Sequence, residues 1–489
     1  MNTVLAIDQS TSATKAVLFD AAGHVVDKAV REHRQIYSQP SWVEHDAEEI
    51  WQNVLAVAKE VVDRQSSLFN SIIGLSITNQ RETCVVFDRR TGRPLHNAIV
   101  WQCRRGDEIC QSLRAAGHEQ MLREKTGLKL DTYFSGSKLK WLNDNVAGIR
   151  QKLESGEAVI GTIDAYLIYR LTGGEVFATD HTNASRTLLF DICRLEWDDE
   201  LCRLFNVPKQ SLPDVRESFA HFGSTHCGGA FPKPLPICGV MGDSQASLFA
   251  QRCHRPGMAK ATFGTGTSVL LNIGEKISLS PGKKGSDTNS VAALAWVLNK
   301  KPTYALEGLI NYSSATIAWL KDQLGLIRDA AETESLATAV ADNGGVYLVP
   351  AFAGLSAPYW SNDARAAIVG MSAHSKKEHV IRAALESIAY QIRDVLEMMR
   401  GEVGVAPQVL FADGGPTRNK FLMQFTADMI GLELVATEVA EASAWGAAMA
   451  GLLGLGIVGS CDEFAKLPRE TISFRPSRNP TEVEKLYAG

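Results

Sequence analysis

The chain has 489 residues, which at roughly 150 residues per domain predicts two large domains or about three smaller ones. Lys and Arg together number 50 and Asp and Glu 55, so the net charge of −5 provides no general attraction for nucleic acid or for an anionic membrane. Hydrophobic residues make up 45% of the sequence and charged residues 21%, as in globular proteins with a full core. We therefore expect a folded protein whose partners include neither nucleic acid nor a membrane.

No segment predicts membrane insertion or export. The longest apolar stretch, residues 447–458, is too short and too rich in glycine to span a bilayer, and no basic region precedes Asp8 near the N-terminus. The nine cysteines contain no C-x-x-C pair and are typical of free thiols in a reducing compartment. These features predict a cytoplasmic location.

The first half of the chain begins with a pattern of strand, short turn and strand. Residues 4–7 form an apolar run that enters a turn rich in Ser and Thr, and residues 16–20 read as the return strand. A helix is predicted over residues 48–63 and another buried strand over residues 72–78. This alternation of strands and helices predicts an α/β protein.

The second half repeats the theme. Residues 260–263 lead into a Gly/Thr turn at 264–267, and residues 268–271 form the return strand. Residues 409–412 are a further strand that enters Asp413-Gly414-Gly415, with a helix from Asn419 onward. A buried helix face is predicted from the spacing of Ile381, Leu385, Ile388, Ile392 and Val395. We expect two similar domains, residues 1–250 and 251–489, that close on a central cleft.

The two turns are candidates for binding phosphate. In the first, Thr11, Ser12 and Ala13 can direct hydroxyls and main-chain N–H groups at phosphate oxygens, and Lys15 adds positive charge. Asp8 would repel phosphate unless it holds hydrated Mg²⁺ near the transferred group. An ordinary hairpin with an Asp at its turn explains the same residues equally well. The turn of Gly264 and Thr265 is weak evidence by itself, because such turns are common in hairpins. Together with the first turn, it is better explained as a second group of contacts that faces the first across the same phosphates.

Other motifs supply candidate acid–base and binding groups. Asp243 ends a buried segment and opens a helix, which suits a general base, although an N-cap is the simpler explanation. Arg81 and Glu82 follow a strand and can donate to and accept from neighbouring hydroxyls, while Trp101 and Tyr133 provide an aromatic wall for a polyol. The glycines at 414 and 415, with Asn419, could cover an adenosine group or simply begin a helix.

Two nucleotide-binding fingerprints are excluded. The sequence has no G-x-x-x-x-G-K-[ST] loop, and the G-x-G-x-x-G of Gly454, Gly456 and Gly459 follows a helical run instead of a strand. We interpret those three glycines as a loop or close-packing feature.

Over almost its whole length the sequence resembles the FGGY carbohydrate kinases, and most closely their glycerol kinase branch. The resemblance rests on residues 41–46, 77–82, 100–105 and 182–186, and on two signature segments at 133–142 and 366–386. It implies two actin-like, ribonuclease H-like domains that close over ATP and a small polyol or sugar.

The resemblance also implies roles for individual residues. Asp243 matches the base that takes the proton of the attacking hydroxyl. Asp8 matches the carboxylate associated with Mg²⁺, and Asp243 is the second predicted Mg²⁺ residue. The remaining matches are nucleotide contacts at Thr11, Ser12, Ala13, Lys15, Gly264, Thr265, Ser314, Gly415 and Asn419, and acceptor contacts at Arg81, Glu82, Trp101, Tyr133, Ser244 and Ser268.

Departures from the glycerol kinase pattern leave the acceptor open. Ser244 stands where Gln is usual and Ser268 where Phe is usual, which predicts room for a four- or five-carbon polyol or ketose. Ser10 and Lys15 are more typical of the xylulose kinase branch, so a xylulose- or ribulose-type kinase is the alternative. A sugar or nucleotide sensor without activity would not need Asp8, Thr265 and Asp243. A homodimer or homotetramer is expected by analogy only.

Overall fold

The computed structural model describes residues 2–277, 290–361, 363–437 and 441–489. Within them the strands are β1 Thr3–Gln9, β2 Ala13–Asp20, β3 Val25–Glu32, β4 Glu44–His45, β5 Ile72–Asn79, β6 Cys84–Asp88, β7 Ala98–Ile99, β8 Ala158–Thr162, β9 Ala178–Asp180, β10 Phe190–Asp191, β11 Glu196–Trp197, β12 Asp214–Arg216, β13 His221–Thr225, β14 Leu235–Gly242, β15 Met258–Phe263, β16 Thr267–Gly274, β17 Val291–Leu298, β18 Lys301–Ile310, β19 Tyr347–Val349, β20 Ala367–Val369, β21 Val409–Asp413, β22 Glu433–Thr437 and β23 Thr471–Phe474.

The α-helices in the same residues are α1 Ala47–Arg64, α2 Asp107–Ala115, α3 Glu119–Thr126, α4 Ser135–Asn145, α5 Ile149–Ser155, α6 Ile163–Leu171, α7 His181–Ala184, α8 Asp199–Leu204, α9 Asp243–Ala250, α10 Ser314–Asp322, α11 Glu332–Thr338, α12 Lys377–Val403, α13 Lys420–Ile430, α14 Ala442–Gly454, α15 Cys461–Phe464 and α16 Pro480–Tyr487. None of these helices is both long enough and apolar enough to cross a bilayer.

The chain forms two compact units. The first contains residues 1–252, 292–304 and 440–468, and the second contains residues 253–291, 305–439 and 469–489. Each unit has a large sheet with helices packed on it, so the expected α/β class is confirmed.

The sheet of the first unit has the order β13-β14-β5-β1-β2-β3. Strands β1 and β2 are an antiparallel hairpin, whereas β5 is parallel to β1 and β14 is parallel to β5. β1 buries all seven of its residues, and helix α1 packs a stripe of Ile50, Val54, Val57 and Val61 into the same core. Asp46 caps α1 by accepting from the N–H groups of Glu48 and Glu49, which fixes where this helix begins.

The second unit repeats the central topology of the first. Its strands β15 and β16 form an antiparallel hairpin, β21 is parallel to β15, β22 is parallel to β21, and β23 closes the series antiparallel to β22. The long helix α12 buries the five apolar residues predicted from their spacing. An antiparallel hairpin followed by two parallel strands therefore occurs once in each unit.

This topology determines where functional side chains collect. The carboxyl ends of β1, β5 and β14 lie at the same edge, because Gln9 pairs with Asn79 and Asn79 with Gly242. In the second unit Thr262 pairs with Asp413, which brings the end of β15 beside the end of β21. Ligands of open α/β sheets bind at the carboxyl ends of strands, so we expect the functional side chains to lie at these two sheet edges.

Candidate active site

The first predicted phosphate turn is the tight connection between β1 and β2. The main-chain N–H of Ser10 and its hydroxyl both donate to the carbonyl of Ala13, at 2.9 Å each, which closes the turn. Asp8 and Lys15 are cross-strand partners, and the Lys15 ammonium lies 3.7 Å from the Asp8 carboxylate. Burial raises the pKa of Asp8 to about 6, against the opposing effect of Lys15, so a nearby cation would favour its ionised form.

A residue that the sequence reasoning did not select completes the charge pattern at this turn. Glu441, which immediately precedes α14, accepts from Lys15 at 2.6 Å and from Lys28 at 2.9 Å. Glu441 has a positive φ of 53°, a strained conformation for a residue with a side chain. Its 426-residue separation from Lys15 leaves no local signal by which the sequence could reveal the pair.

Arg81, Glu82 and Asp243 come together at the ends of β5 and β14. The Arg81 side chain is 3.1 Å from the carboxylate of Asp243, and it also donates to Gln245 at 3.3 Å. Glu82 is buried with a φ of 61°, and its carboxylate receives a 2.6 Å hydrogen bond from Arg186. Buried ion pairs and a strained non-glycine residue concentrate at functional sites, so this cluster is the strongest candidate in the first unit.

Asp243 is accessible although its neighbours are buried. Its side chain is 37% exposed, whereas that of Arg81 is 4% exposed. Helix α9 begins at Asp243 with Gly242 in the N-cap position, so the simpler sequence interpretation, an N-cap aspartate, is wrong. The carboxylate accepts from the N–H of Ser244, and the first turn of the helix thus holds it at the end of the sheet.

The two predicted aromatic residues form one wall. The rings of Trp101 and Tyr133 have centroids 5.2 Å apart and are tilted by 56°. The indole N–H of Trp101 donates to the hydroxyl of Thr11 at 2.9 Å, which ties this wall to the first phosphate turn. Because the Thr11 oxygen is the acceptor in that bond, the Thr11 hydroxyl proton points away from Trp101 and can be donated to another group.

The second unit contains the other predicted residues. The N–H of Gly264 donates to the carbonyl of Gly266, and the N–H of Ser314 donates to the carbonyl of Gly264, so α10 begins against the second turn. Gly414 has a φ of 101°, and a Cβ there would lie 2.0 Å from the carbonyl oxygen of Phe263. Only glycine permits this close approach of β15 and β21.

A cavity of about 990 Å³ joins Ser314, Gly415 and Asn419. Apolar side chains of α10, α12 and α13 form much of its lining. Lys321 on α10 and Glu334 on α11 also line it, and neither was predicted from the sequence. Asn419 caps α13 by accepting from the N–H of Leu422, and its amide donates to Thr333. A largely apolar cavity of this size with a few fixed polar groups suits a nucleoside-sized ligand.

The predicted site residues therefore form two sets. Asp8, Thr11, Ser12, Ala13, Lys15, Arg81, Glu82, Trp101, Tyr133, Asp243 and Ser244 belong to the first unit, and Gly264, Thr265, Ser268, Ser314, Gly415 and Asn419 to the second. In the second set Ser268 pairs with Thr262 on β15 and donates to Glu307 at 3.5 Å, so it is not on the cavity lining. Among the described residues no cluster of three or more His, Cys, Asp or Glu side chains resembles a metal site.

Comparison with known proteins identifies the family. The model of the N-terminal domain of the FGGY family of carbohydrate kinases matches residues 3–250, and the model of its C-terminal domain matches residues 259–455. The chain belongs to the FGGY family of carbohydrate kinases.

Similar proteins agree with this assignment. The chain is 47% identical over 488 residues to glycerol kinase 2 of Thermotoga maritima, covering 100% of this chain and 97% of that protein. It is 47% identical over 486 residues to a glycerol kinase of Desulfitobacterium hafniense, covering 99% of this chain and 97% of that protein. The crystal structure of Plasmodium falciparum glycerol kinase with ADP matches with a TM-score of 0.94 at 36% identity, covering 100% of this chain and 96% of that one.

More distant FGGY kinases share the fold. A xylulose kinase from Lactobacillus acidophilus matches with a TM-score of 0.88 at 21% identity, covering 100% of this chain and 96% of that one. This FGGY chain is thus an ATP-dependent phosphotransferase with two actin-like, ribonuclease H-like domains, as the sequence resemblance implied.

Proposed function

We propose that this kinase transfers the terminal phosphate of ATP to a terminal hydroxyl of glycerol or of a slightly larger polyol or ketose, with Asp243 as the general base. The observation that carries the proposal is the cluster in which Arg81 fixes an accessible Asp243 carboxylate beside buried Glu82. Phosphoryl transfer depends on positioning and charge stabilisation more than on covalent chemistry, and this cluster provides both.

Recognition of a polyol follows from the same residues. The Glu82 carboxylate can accept a hydrogen bond from one hydroxyl of the polyol, and the Arg81 guanidinium can donate one to the neighbouring hydroxyl. Trp101 and Tyr133 provide an apolar surface for the C–H groups of the carbon chain. A hydroxyl held against Asp243 at hydrogen-bond distance can give up its proton as it attacks phosphorus.

The proposed nucleotide contacts divide between the two units. Thr11, Ser12, Ala13 and Lys15 in the first turn, with Gly264 and Thr265 in the second, are proposed to contact phosphates. The cavity bounded by Ser314, Gly415 and Asn419 is proposed to receive adenosine. The predicted domains, residues 1–250 and 251–489, stay part of this proposal.

Mg²⁺ fits the carboxylates that are present. Mg²⁺ retains several waters and uses one or two carboxylates together with substrate phosphates, so a cage of protein ligands is not required. Asp8 and Asp243 are the proposed carboxylates, and the elevated pKa of Asp8 reflects a buried acid that a cation would stabilise as the anion. When bound, Mg²⁺ would neutralise phosphate charge. Asp8 and Asp243 would hold it either directly through their carboxylate oxygens or through the water molecules that the ion retains.

The acceptor preference is proposed to favour four or five carbons over three. Ser244 and Ser268 stand at positions where the glycerol kinase branch usually has Gln and Phe, so less side-chain volume is present there. A lost wall contact is worth about 1–3 kcal/mol, which would reduce glycerol phosphorylation without abolishing it. The proposal further includes a cytoplasmic location and a homodimer or homotetramer, the latter to be measured by light scattering.

The test is a coupled assay of ADP release with Mg²⁺-ATP and a panel of glycerol, erythritol, threitol, erythrulose, xylitol, xylulose, ribulose and dihydroxyacetone. We expect kcat/KM to be highest for a four- or five-carbon acceptor. A clear preference for glycerol would refute the size argument, and a preference for xylulose or ribulose would support the ketose alternative. The absence of acceptor-dependent ADP release with every compound of the panel would refute the proposed acceptor class.

Asp243→Asn separates the proposed base from a structural role. The variant keeps the size of the side chain and one oxygen for the N–H of Ser244, so we expect a wild-type melting temperature. Its kcat should fall by about a hundredfold or more, because general-base catalysis contributes on that order. Substantial residual activity would remove Asp243 from the role of base.

A further inference from the structure

The first turn of α4 contains a buried lysine that the proposed function has not yet used. Lys138 belongs to the signature segment 133–142, and its side chain is fully buried. Its ammonium donates to the main-chain carbonyls of Thr132, Tyr133 and Phe134, the last two at 3.0 and 3.1 Å. A charge buried at this depth is strongly unfavourable unless its donors are satisfied, and the three carbonyls that converge on the ammonium satisfy them.

These carbonyls belong to the turn that presents Tyr133 to Trp101. The same turn is held from its other side, because the N–H of Tyr133 donates to the carboxylate of Asp131 at 2.7 Å. Three adjacent carbonyls all pointing at one place repel each other, and the ammonium ion removes that repulsion. Loss of the Lys138 ammonium leaves that repulsion uncompensated and should displace the carbonyls, while Asp131 continues to hold the N–H of Tyr133.

The same helix turn also reaches the polar part of the site. The hydroxyl of Ser135 donates to the carbonyl of Glu82 at 2.7 Å, three residues before Lys138 in sequence. One turn of α4 therefore contacts both the segment that holds the aromatic wall and the loop that holds Glu82. Burial lowers the pKa of Lys138, against the opposing effect of nearby acidic groups that include Glu82.

We propose that Lys138 is a positioning residue for the acceptor, since its ammonium fixes the turn of residues 132–134 and thereby places the Tyr133 ring against Trp101. The proposal rests on the proposed function, because it assigns Tyr133 to acceptor binding. It predicts that loss of the ammonium weakens acceptor binding more than ATP binding, because the cavity proposed for adenosine is lined by Ser314, Gly415 and Asn419 of the second unit.

The test compares Lys138→Met with Lys140→Met. Methionine retains most of the length of lysine and removes its charge. Lys140 lies on the same helix and pairs with Asp144, and both of these side chains are partly exposed. We expect Lys138→Met to raise the acceptor KM by about tenfold or more, with the KM for ATP changed less than twofold, because a misplaced binding group acts on the ligand that it touches. Lys140→Met should match the wild type in both.

The outcomes distinguish this inference from the proposed function. An active wild type whose Lys138→Met variant keeps its acceptor KM, or raises both KM values together, overturns the positioning role. Calorimetric titration with acceptor and no nucleotide supplies a second readout, and unchanged acceptor affinity in the variant also overturns it. If the wild type phosphorylates no acceptor in the panel, the proposed function fails, and this titration still decides the role of Lys138.

Lys138→Arg serves where Lys138→Met does not fold. Arginine keeps the charge, but its longer planar group cannot occupy the position of a compact ammonium among three carbonyls. A folded Lys138→Arg variant with a raised acceptor KM and an unchanged KM for ATP supports the proposal. An unchanged acceptor KM in that variant overturns it.

Discussion

Gly446→Ala should disturb the helix that begins at the proposed base, although Gly446 is far from Asp243 in sequence. Gly446 lies in α14 and packs against α9, where a Cβ would be 1.8 Å from the carbonyl oxygen of Ala246. Ordinary contact begins near 3.4 Å, so the two helices would have to separate by about 1.6 Å. The hydroxyl of Ser443, which donates to the carbonyl of Asp243 at 3.1 Å, would be drawn away by the same movement.

The magnitude follows from two opposing effects. Alanine favours a helix over glycine by about 1 kcal/mol, while overpacking against rigid backbone costs about 1–3 kcal/mol and occasionally more. Because the clashing atom is a main-chain oxygen that no rotamer change can move, we expect a net loss of about 2 kcal/mol in the free energy of unfolding. A displacement of about 1 Å at a catalytic group costs on the order of a hundredfold in kcat.

The assay pairs urea unfolding with steady-state kinetics, and Gly401→Ala is the matched control. Gly401 lies inside helix α12, where a Cβ would meet no atom within 4 Å, so this substitution should stabilise the protein by up to about 1 kcal/mol and leave kcat unchanged. If Gly446→Ala matches the wild type in both stability and kcat, the close approach of α14 and α9 does not position Asp243.

Three further predictions address other parts of the structure. Lys15→Met should raise the KM for ATP by about tenfold or more, since a charge-assisted hydrogen bond is worth about 1.5–3 kcal/mol. Lys28→Met removes the more exposed partner of Glu441 and should leave the KM for ATP within about twofold of the wild-type value. Equal effects of the two variants would argue against a phosphate contact at Lys15. Burial and the charge of Asp180 raise the pKa of Asp164 to about 7, above its value in the unfolded chain. The native state therefore binds an extra proton, and the free energy of unfolding falls as pH rises from about 4 to 7. Asp164→Asn should remove a loss of up to roughly 4 kcal/mol over that range, and the same pH dependence of the free energy of unfolding in variant and wild type, measured in urea, would contradict this. Ser244→Gln with Ser268→Phe should shift the ratio of kcat/KM values toward glycerol, and an unchanged ratio would show that these positions do not set specificity.

Much of the fold was accessible from local sequence patterns. Both hairpins, the strands that follow them and the buried face of α12 were predicted, because hydrophobic spacing of about two or 3.6 residues reports directly on strands and helices. The interpretation of Gly454, Gly456 and Gly459 as a loop or close-packing feature fits the structure: a Cβ at Gly454 would lie 2.1 Å from the carbonyl oxygen of Phe219, whereas Gly456 has a positive φ of 68° and open space around it. Family membership, confirmed by comparison, likewise followed from the sequence.

Contacts between distant segments were decided only by the tertiary structure. Glu441 pairs with Lys15, and Arg186 with Glu82, although neither pair is adjacent in sequence. Hydrophobic patterning cannot reveal such pairs, because an ion pair depends on which strand ends meet and at what register. The sequence thus determined the chemistry that is available, and the parallel pairing of β1, β5 and β14 determined which of those groups stand together at one edge of the sheet.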